Sequence, residues 1–366
     1  MKQDRDGNAI VYCEGAFNTT YGKTAHGLVR FTRRYDILSV IDSGWAGRDA
    51  AEVLDGTPKG IPVMRDLDDA IGDAKRRGKP ATHFVIGLAP DGGGLDQRTR
   101  GAVLEAVSRG LNVDSGLHHF LSEDAEIADL ARARGVALRD VRKTPGRKEL
   151  HGFTGKIAEV KSIVVALLGT DSAVGKRTSA WILKDALEAA GFSAELVGTG
   201  QTAWLQGVRY GIILDSLIND FVAGEIEHAV WTAYTERRPD VIIIEGQGSL
   251  MNPAYPGGFE ILAAGRPAAA VMQHAPARKE YDGFPGFPLH PIGKQIEAVR
   301  FLYDVPTIGV TINHEEISPE QTPSVCEKLE RELGIPVCDP LRGGVRPIVR
   351  VLGERIRAKA EGKPLK

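Results

Sequence analysis

The stretch that most constrains this chain runs from Lys161 to Leu187, KSIVVALLGTDSAVGKRTSAWILKDAL. Ile163 to Leu168 is an unbroken apolar run rich in β-branched residues, which predicts a strand buried on both faces of a parallel sheet. Gly169 to Lys176 follows as a turn of small residues, and Trp181, Ile182, Leu183, Ala186 and Leu187 mark the inward face of an amphipathic helix. A strand, a glycine-bounded loop ending in Gly-Lys and a helix together form a phosphate-binding loop. Successive backbone N–H groups and the helix N-terminus converge on an anion, and the lysine adds a point charge. The residues placed to hold that anion are Gly169, Thr170, Ser172, Ala173, Val174, Gly175, Lys176, Arg177 and Thr178.

One position departs from the common pattern. In G-x-x-x-x-G-K-[ST] the final hydroxyl holds Mg²⁺. Here five residues separate Gly169 from Gly175, and Arg177 stands where the hydroxyl belongs. Thr178 comes one position later, about 100° further round the helix. An arginine pairs with phosphate but does not ligate a cation. The loop therefore reads as a holder of phosphate or pyrophosphate, with no metal expected.

At 366 residues the chain exceeds most single cores, so two domains are expected. A net charge of −2 without a long basic run argues against a dedicated nucleic-acid or membrane-surface binder. Cys13, Cys326 and Cys338 are widely spaced and form no C-x-x-C motif, which reads as three reduced thiols. No basic-then-apolar leader opens the chain and no apolar run approaches membrane-spanning length, so a soluble, cytoplasmic protein is expected. Small-molecule substrates and a homo-oligomer are separate expectations.

The N-terminal part alternates short apolar runs with helical patterns. Tyr35 to Ile41 reads as the first clear strand, His83 to Leu88 as a second and Leu111 to Val113 as the start of a third. Glycine-rich turns follow them, notably Asp42 to Gly47 and Ala89 to Gly94. Repeated strand–loop–helix units predict a doubly wound parallel sheet, Rossmann-like but lacking a clean G-x-G-x-x-G. Arg142 to His151 is basic, contains Pro and Gly, and has no periodicity, so it reads as a linker. The expected domains are residues 1–145, Rossmann-like, and 146–366, built round the phosphate loop.

Within the second domain, Val241 to Ile244 predicts a buried strand ending in Glu245-Gly246-Gln247-Gly248-Ser249. A carboxylate at that strand end suits metal binding, water activation or general-base work. Ala268 to Met272 predicts another strand, followed closely by His274, Arg278 and Lys279, an imidazole and two cations suited to acid/base chemistry and to a carboxylate clamp. Asp171 lies inside the phosphate loop, and Asn313 ends the strand Thr307 to Ile312, where an amide can read a purine edge. Asp282 to Pro291, dense in Pro, Gly and Phe, is either a lid or a rigid surface loop. In the first domain Lys23-Thr24-Ala25-His26-Gly27 packs a cation, a hydroxyl and an imidazole into five residues. A solvated loop and a binding loop are both open readings there. The same holds for the Ala89-Pro90-Asp91-Gly92-Gly93-Gly94 turn, at a strand C-terminal end where open α/β sheets bind ligands.

GTDSAVGK and EGQGS resemble dethiobiotin synthetase and its phosphate-loop relatives, which share the five-residue spacing but carry a hydroxyl directly after the lysine. A wider set of motifs spans nearly the whole chain: KTAHG, IDSGWAG, VIGLAPDGG, GLNVDSGLH, GTDSAVGKRT, IEGQGSLMNPAYPGG and QHAPARKEYDG. In these the chain resembles the DgcN-type D-glutamate N-acetyltransferase family, which joins a Rossmann-like domain to a P-loop-like one. The resemblance implies acetyl transfer from acetyl-CoA to the amine of a D-amino acid, D-glutamate foremost, with a functional link to an N-acetyl amino acid racemase. For such a reaction the loop position assigns phosphate to Gly175 and Lys176, and position in the loop and at strand ends makes Asp171, Glu245 and His274 the candidates for the proton chemistry. Arg278 and Lys279, with Lys23 and His26, are the candidates to meet the substrate. The alternatives are an ATP/Mg-dependent ligase or kinase acting on a small carboxylate, and a nucleotide- or CoA-binding regulatory protein without chemistry.

Overall fold

The structure, a computed structural model, describes residues 5–363. The chain divides into two compact units. One runs to Pro145 and also takes in Gln201–Val208; the other holds Gly146–Gly200 and the chain from Arg209 onward.

The first unit is built on six parallel strands, β1 (Gly7–Tyr12), β2 (Tyr35–Ile41), β3 (Val63–Met64), β4 (His83–Ile86), β5 (Asn112–Ser115) and β6 (Leu138–Asp140). Their order is β3-β2-β1-β4-β5-β6, the order typical of dinucleotide-binding folds. Helices α1 (Lys23–Arg30), α2 (Ala50–Asp55), α3 (Leu67–Arg76), α4 (Gln97–Ser108) and α5 (Ala125–Arg134) make the crossovers. Burial on both faces explains the strands. Ile10 and Tyr12 of β1 join one core while Ala9 and Val11 join the other, and Phe84, Ile86 and Val85 of β4 divide the same way.

Two departures from the sequence reading stand out in this unit. The sheet begins with Gly7–Tyr12, not with Tyr35, and that first strand lies at the centre, between β2 and β4. Its four apolar residues, Ala9 to Tyr12, are too few to show a period, and only the flanking strands define it. Lys23 to Gly27, read as a loop before the first strand, instead opens helix α1, with Thr24, Ala25 and Gly27 buried.

A simple cut between domains also fails at 201–208. Helix α7 (Gln201–Leu205) is preceded and followed by the second unit's chain, yet belongs to the first. Leu205 and Trp204 pack into the core of Val11, Leu28 and Tyr35, and Gln206 Nε2 donates to the carbonyls of Gly27 at 2.7 Å and Phe31 at 2.9 Å.

The second unit has seven parallel strands: β7 (Ile163–Gly169), β8 (Ala194–Gly198), β9 (Tyr210–Gly211), β10 (Val241–Glu245), β11 (Ala269–His274), β12 (Thr307–Ile312) and β13 (Val337–Cys338). They lie in the order β13-β12-β11-β7-β10-β8-β9. The apolar run of β7 is buried at every position. Its Val164, Ala166 and Leu168 enter one core, which places Ile163, Val165 and Leu167 on the opposite face. Burial of each large side chain contributes about 2 kcal/mol. Helices α6 (Lys176–Ala189), α8 (Asn219–Arg237), α9 (Phe259–Gly265), α10 (Ile292–Tyr303), α11 (Thr322–Leu333) and α12 (Arg346–Ala360) complete the unit. Among the described residues no helix is long and apolar enough to cross a membrane. Because β7 is flanked by β10 and β11, the loops leaving those three strands share one edge of the sheet.

Candidate functional site

The centre of the second unit is the loop from β7 into α6. Lys176 is the first residue of α6, and its chain turns back so that Nζ donates to the carbonyls of Asp171 at 2.7 Å and Gly248 at 2.9 Å. Gly169 makes that path possible: a Cβ there would stand 2.9 Å from Lys176 Cδ and 3.0 Å from Nζ. Burial pulls the Lys176 ammonium down to about 8, against the carboxylates of Glu245 and Asp171 that support its charge. The helix N-terminus, this ammonium and the half-buried Arg177 place positive charge at one point. Thr178 is half-buried on α6, and Ala173 is exposed with φ 51°.

Glu245 closes β10 and is almost fully buried. Burial raises its carboxyl above the ordinary range, while Arg177 and Lys176 act in the opposite direction. The turn beyond it needs glycine: Gly246 has φ 129°, and a Cβ there would meet Thr199 Oγ1 at 2.0 Å. Thr199 Oγ1 donates to the Glu245 carbonyl at 2.8 Å, and Gln247 Nε2 donates to the Thr199 carbonyl at 2.8 Å, fixing the turn to the chain after β8.

Asp171 is fully buried, and its carboxylate accepts four donors: the N–H of Ser172 at 2.7 Å, Asn252 Nδ2 at 2.7 Å, Arg278 Nη1 at 2.8 Å and the N–H of Asp282 at 2.8 Å. An ionised carboxylate has about four lone-pair positions, so these donors saturate it. Asp171 is a hub that ties three loops together, not an open base. Arg278 likewise is built into the protein. Nε and Nη2 reach Glu315 at 2.7 and 2.8 Å, and Nη1 also donates to the Ser172 carbonyl at 2.9 Å. Burial works against its charge, but the bonds to Glu315 and Asp171 prevail and raise its pKa. The clamp expected from Arg278 is thus turned on the protein's own carboxylates. Lys279 beside it is exposed.

His274 is the last residue of β11, and its Nδ1 shares a hydrogen bond with Thr170 Oγ1 at 3.0 Å. Burial, with Arg278 nearby, pushes the imidazole down to about 4, so it is neutral at physiological pH. Asn313 is occupied as well: its side-chain carbonyl accepts the Glu315 N–H at 3.0 Å, and its own N–H donates to the His274 carbonyl at 2.7 Å. It shapes the turn that presents Glu315 to Arg278. The 282–291 segment is pinned at its base by Asp282 to Asp171 and by Tyr281 Oη with His290 Nδ1 at 2.9 Å. Tyr255, Phe284 and Phe287 form an edge-to-face aromatic row at its surface.

Gln273 escaped the sequence reading. It is buried at the end of β11, accepts hydrogen bonds from Ser179 and Thr311 at 2.5 Å each, and donates to the Val174 carbonyl at 3.0 Å. The available signal was a polar residue ending an apolar strand beside the phosphate loop. Asn252, Glu315 and Thr199 carried no local signal, because their partners lie far off in sequence.

Lys23 and His26 belong to the first unit. His26 Nε2 is hydrogen-bonded to the Phe17 carbonyl, and its ring stands edge-to-face on Phe17 at 5.8 Å. It latches the 17–22 turn, a structural task that the substrate reading did not foresee. Lys23 is exposed at the start of α1.

Two family models match the chain: a Rossmann-like domain of unknown function, DUF1611_N, over residues 43–144, and a P-loop domain of unknown function, DUF1611_C, over residues 151–349. A protein of Pseudoalteromonas sp named D-glutamate N-acetyltransferase is 34% identical over 279 residues, 74% of this chain and 80% of its own length. A protein of the same name from Tritonibacter scottomollicae is 30% identical over 286 residues, 76% of this chain and 83% of its own length. The crystal structure of a DUF1611 family protein from Anabaena variabilis superposes with a TM-score of 0.86 at 26% identity, covering 95% of this chain and 99% of that one.

Proposed function

This chain belongs to the DUF1611 family, and we propose that it transfers the acetyl group of acetyl-CoA to the amine of a D-amino acid, D-glutamate foremost. The observation that carries this reading is the pair of relatives named D-glutamate N-acetyltransferase, each aligned over about three quarters of the chain.

The geometry of the second unit supports it. Coenzyme A presents a pyrophosphate and a 3′-phosphate, and the start of α6 with Lys176 and Arg177 offers converging N–H groups and cations for them. The aromatic row of Tyr255, Phe284 and Phe287 offers apolar surface for the rest of the cosubstrate. Transfer requires a neutral amine. Its nitrogen attacks the thioester carbonyl carbon, the amine proton passes to a base, and the C–S bond breaks to release the thiol. Glu245 is our candidate base, because burial makes its carboxylate a stronger proton acceptor than an exposed one. His274, held neutral by burial and hydrogen-bonded to Thr170, and Asp171, saturated by its four donors, position the loops around it. Lys279, an exposed cation, is our candidate partner for a substrate carboxylate. An N-acetylated D-amino acid formed here feeds a racemase acting on N-acetyl amino acids.

Calorimetric titration tests the reading. Acetyl-CoA is expected to bind without added metal. Binding of Mg·ATP with phosphate release stimulated by an amino acid, and no binding of acetyl-CoA, would replace it with the ligase or kinase reading.

A further inference from the structure

The first unit contains a cavity of about 170 Å³ that the proposed chemistry has not used. Tyr12 and Glu14 line it from the end of β1, Pro90 and Leu88 from beyond β4, and Asp96 and Arg98 from the start of α4. β1 continues through α1 to β2 on one side, while β4 continues through α4 to β5 on the other. The cavity thus lies outside the carboxyl ends of two adjacent strands where the sheet reverses direction, the place where open α/β sheets bind ligands.

Its lining argues against the usual ligand of such a fold. The turn after β1 reads Cys13-Glu14-Gly15-Ala16-Phe17, with no G-x-G-x-x-G. A carboxylate, Glu14, occupies the turn that would have to receive a pyrophosphate. The Glu14 side chain is only 6% exposed, and it accepts the Ser43 N–H at 2.8 Å and Arg98 Nη2 at 2.6 Å. Asp96 caps α4 by accepting the Thr99 N–H at 2.7 Å, and that bond keeps its carboxyl below the ordinary range and therefore anionic. Glu14 shares its charge with Arg98 and Ser43, and Asp96 adds a second carboxylate, so the wall still disfavours phosphate and offers acceptors to an ammonium. Arg98, with a side chain 66% exposed, supplies a cation on the open side, and Leu88 and Leu117 supply apolar wall. The volume falls below the 300–1,000 Å³ typical of drug-sized ligands.

We infer that this crevice binds a small free α-amino acid, with the ammonium on the Glu14 and Asp96 side and a carboxylate on Arg98. The site rests on the cavity and its charges; only the choice of D-glutamate as first probe rests on the acetyl-transfer reading. In that reading the crevice is where the acceptor amino acid is first recognised.

The test is hydrogen–deuterium exchange of the full chain with D-glutamate, then a panel of free amino acids in both configurations, together with calorimetry on wild type, Arg98→Ala and Glu14→Gln. A panel member is expected to slow exchange in 12–22 and 88–99, and each variant to weaken its binding at least tenfold. N-acetyl-D-glutamate, which has no ammonium, is expected to give no protection there. Arg98 is exposed, so Arg98→Ala keeps the test open if Glu14→Gln fails to fold. Protection confined to 169–178 and 245–258, equal binding by folded Arg98→Ala and wild type, or no binding by any panel member would overturn the inference. Protection of the crevice without acetyl transfer would keep the site and remove the catalytic reading; acetyl transfer without crevice protection would do the reverse.

Discussion

Asp171 and Arg278 form an ion pair at 2.8 Å in which the carboxylate is fully buried and the guanidinium is only 12% exposed. The pair joins the phosphate loop to the chain after β11, 107 residues away, and Glu315 holds the other edge of the guanidinium. Removing one partner of a buried pair leaves an uncompensated charge and costs about 3 kcal/mol. Arg278→Ala is therefore expected to lower unfolding free energy by about that amount in urea titration. A variant that loses affinity for acidic substrates while keeping full stability would return Arg278 to the role of a clamp.

His274 carries a pH signature. Its folded pKa lies at about 4, below the ordinary 6.5. Between those values the unfolded chain binds more protons than the folded one, so stability rises with pH across that window and falls as the medium is acidified through it. At about 1.4 kcal/mol per unit the full effect approaches about 3 kcal/mol. Thermal melts from pH 7 to pH 4 should fall more steeply for wild type than for His274→Gln; parallel curves would show that the imidazole is not held neutral by its surroundings.

Glu245→Gln keeps the shape of the side chain but removes the proposed base. The expected result is a loss of kcat of about 10²- to 10⁴-fold, with acetyl-CoA affinity little changed. An unaltered kcat would move the proton transfer to another group.

Lys176→Ala separates phosphate binding from the chemistry. A lost charge-assisted contact is worth about 1.5–3 kcal/mol, or roughly tenfold to a hundredfold in acetyl-CoA affinity. Calorimetry on the folded variant is the check, and wild-type affinity would leave the loop as a structural turn.

Much of the fold could be read from the chain because the signals were local. The buried run at 163–169, the turn ending in Lys176 and the amphipathic α6 each declare themselves within a few residues. Gly7–Tyr12 did not, since a six-residue strand acquires its identity from the neighbours on either side. The site was legible in position but not in role. Strand ends pointed to Glu245 and His274, whereas the commitments of Asp171 and Arg278 to each other, and of Asn313 to Glu315, depend on tertiary contacts that no spacing encodes. Helix α7 makes the same point at the scale of a unit, because only folding shows that Leu205 belongs to the core of Leu28 and Tyr35.

The most direct measurement is turnover. The protein is mixed with acetyl-CoA and D-glutamate without added metal, and the free thiol and the N-acetylated product are followed together. Equal, time-dependent formation of coenzyme A thiol and N-acetyl-D-glutamate is the expected result. No thiol release with D-glutamate or any other D-amino acid, alongside amino-acid-stimulated phosphate release from Mg·ATP, would contradict it.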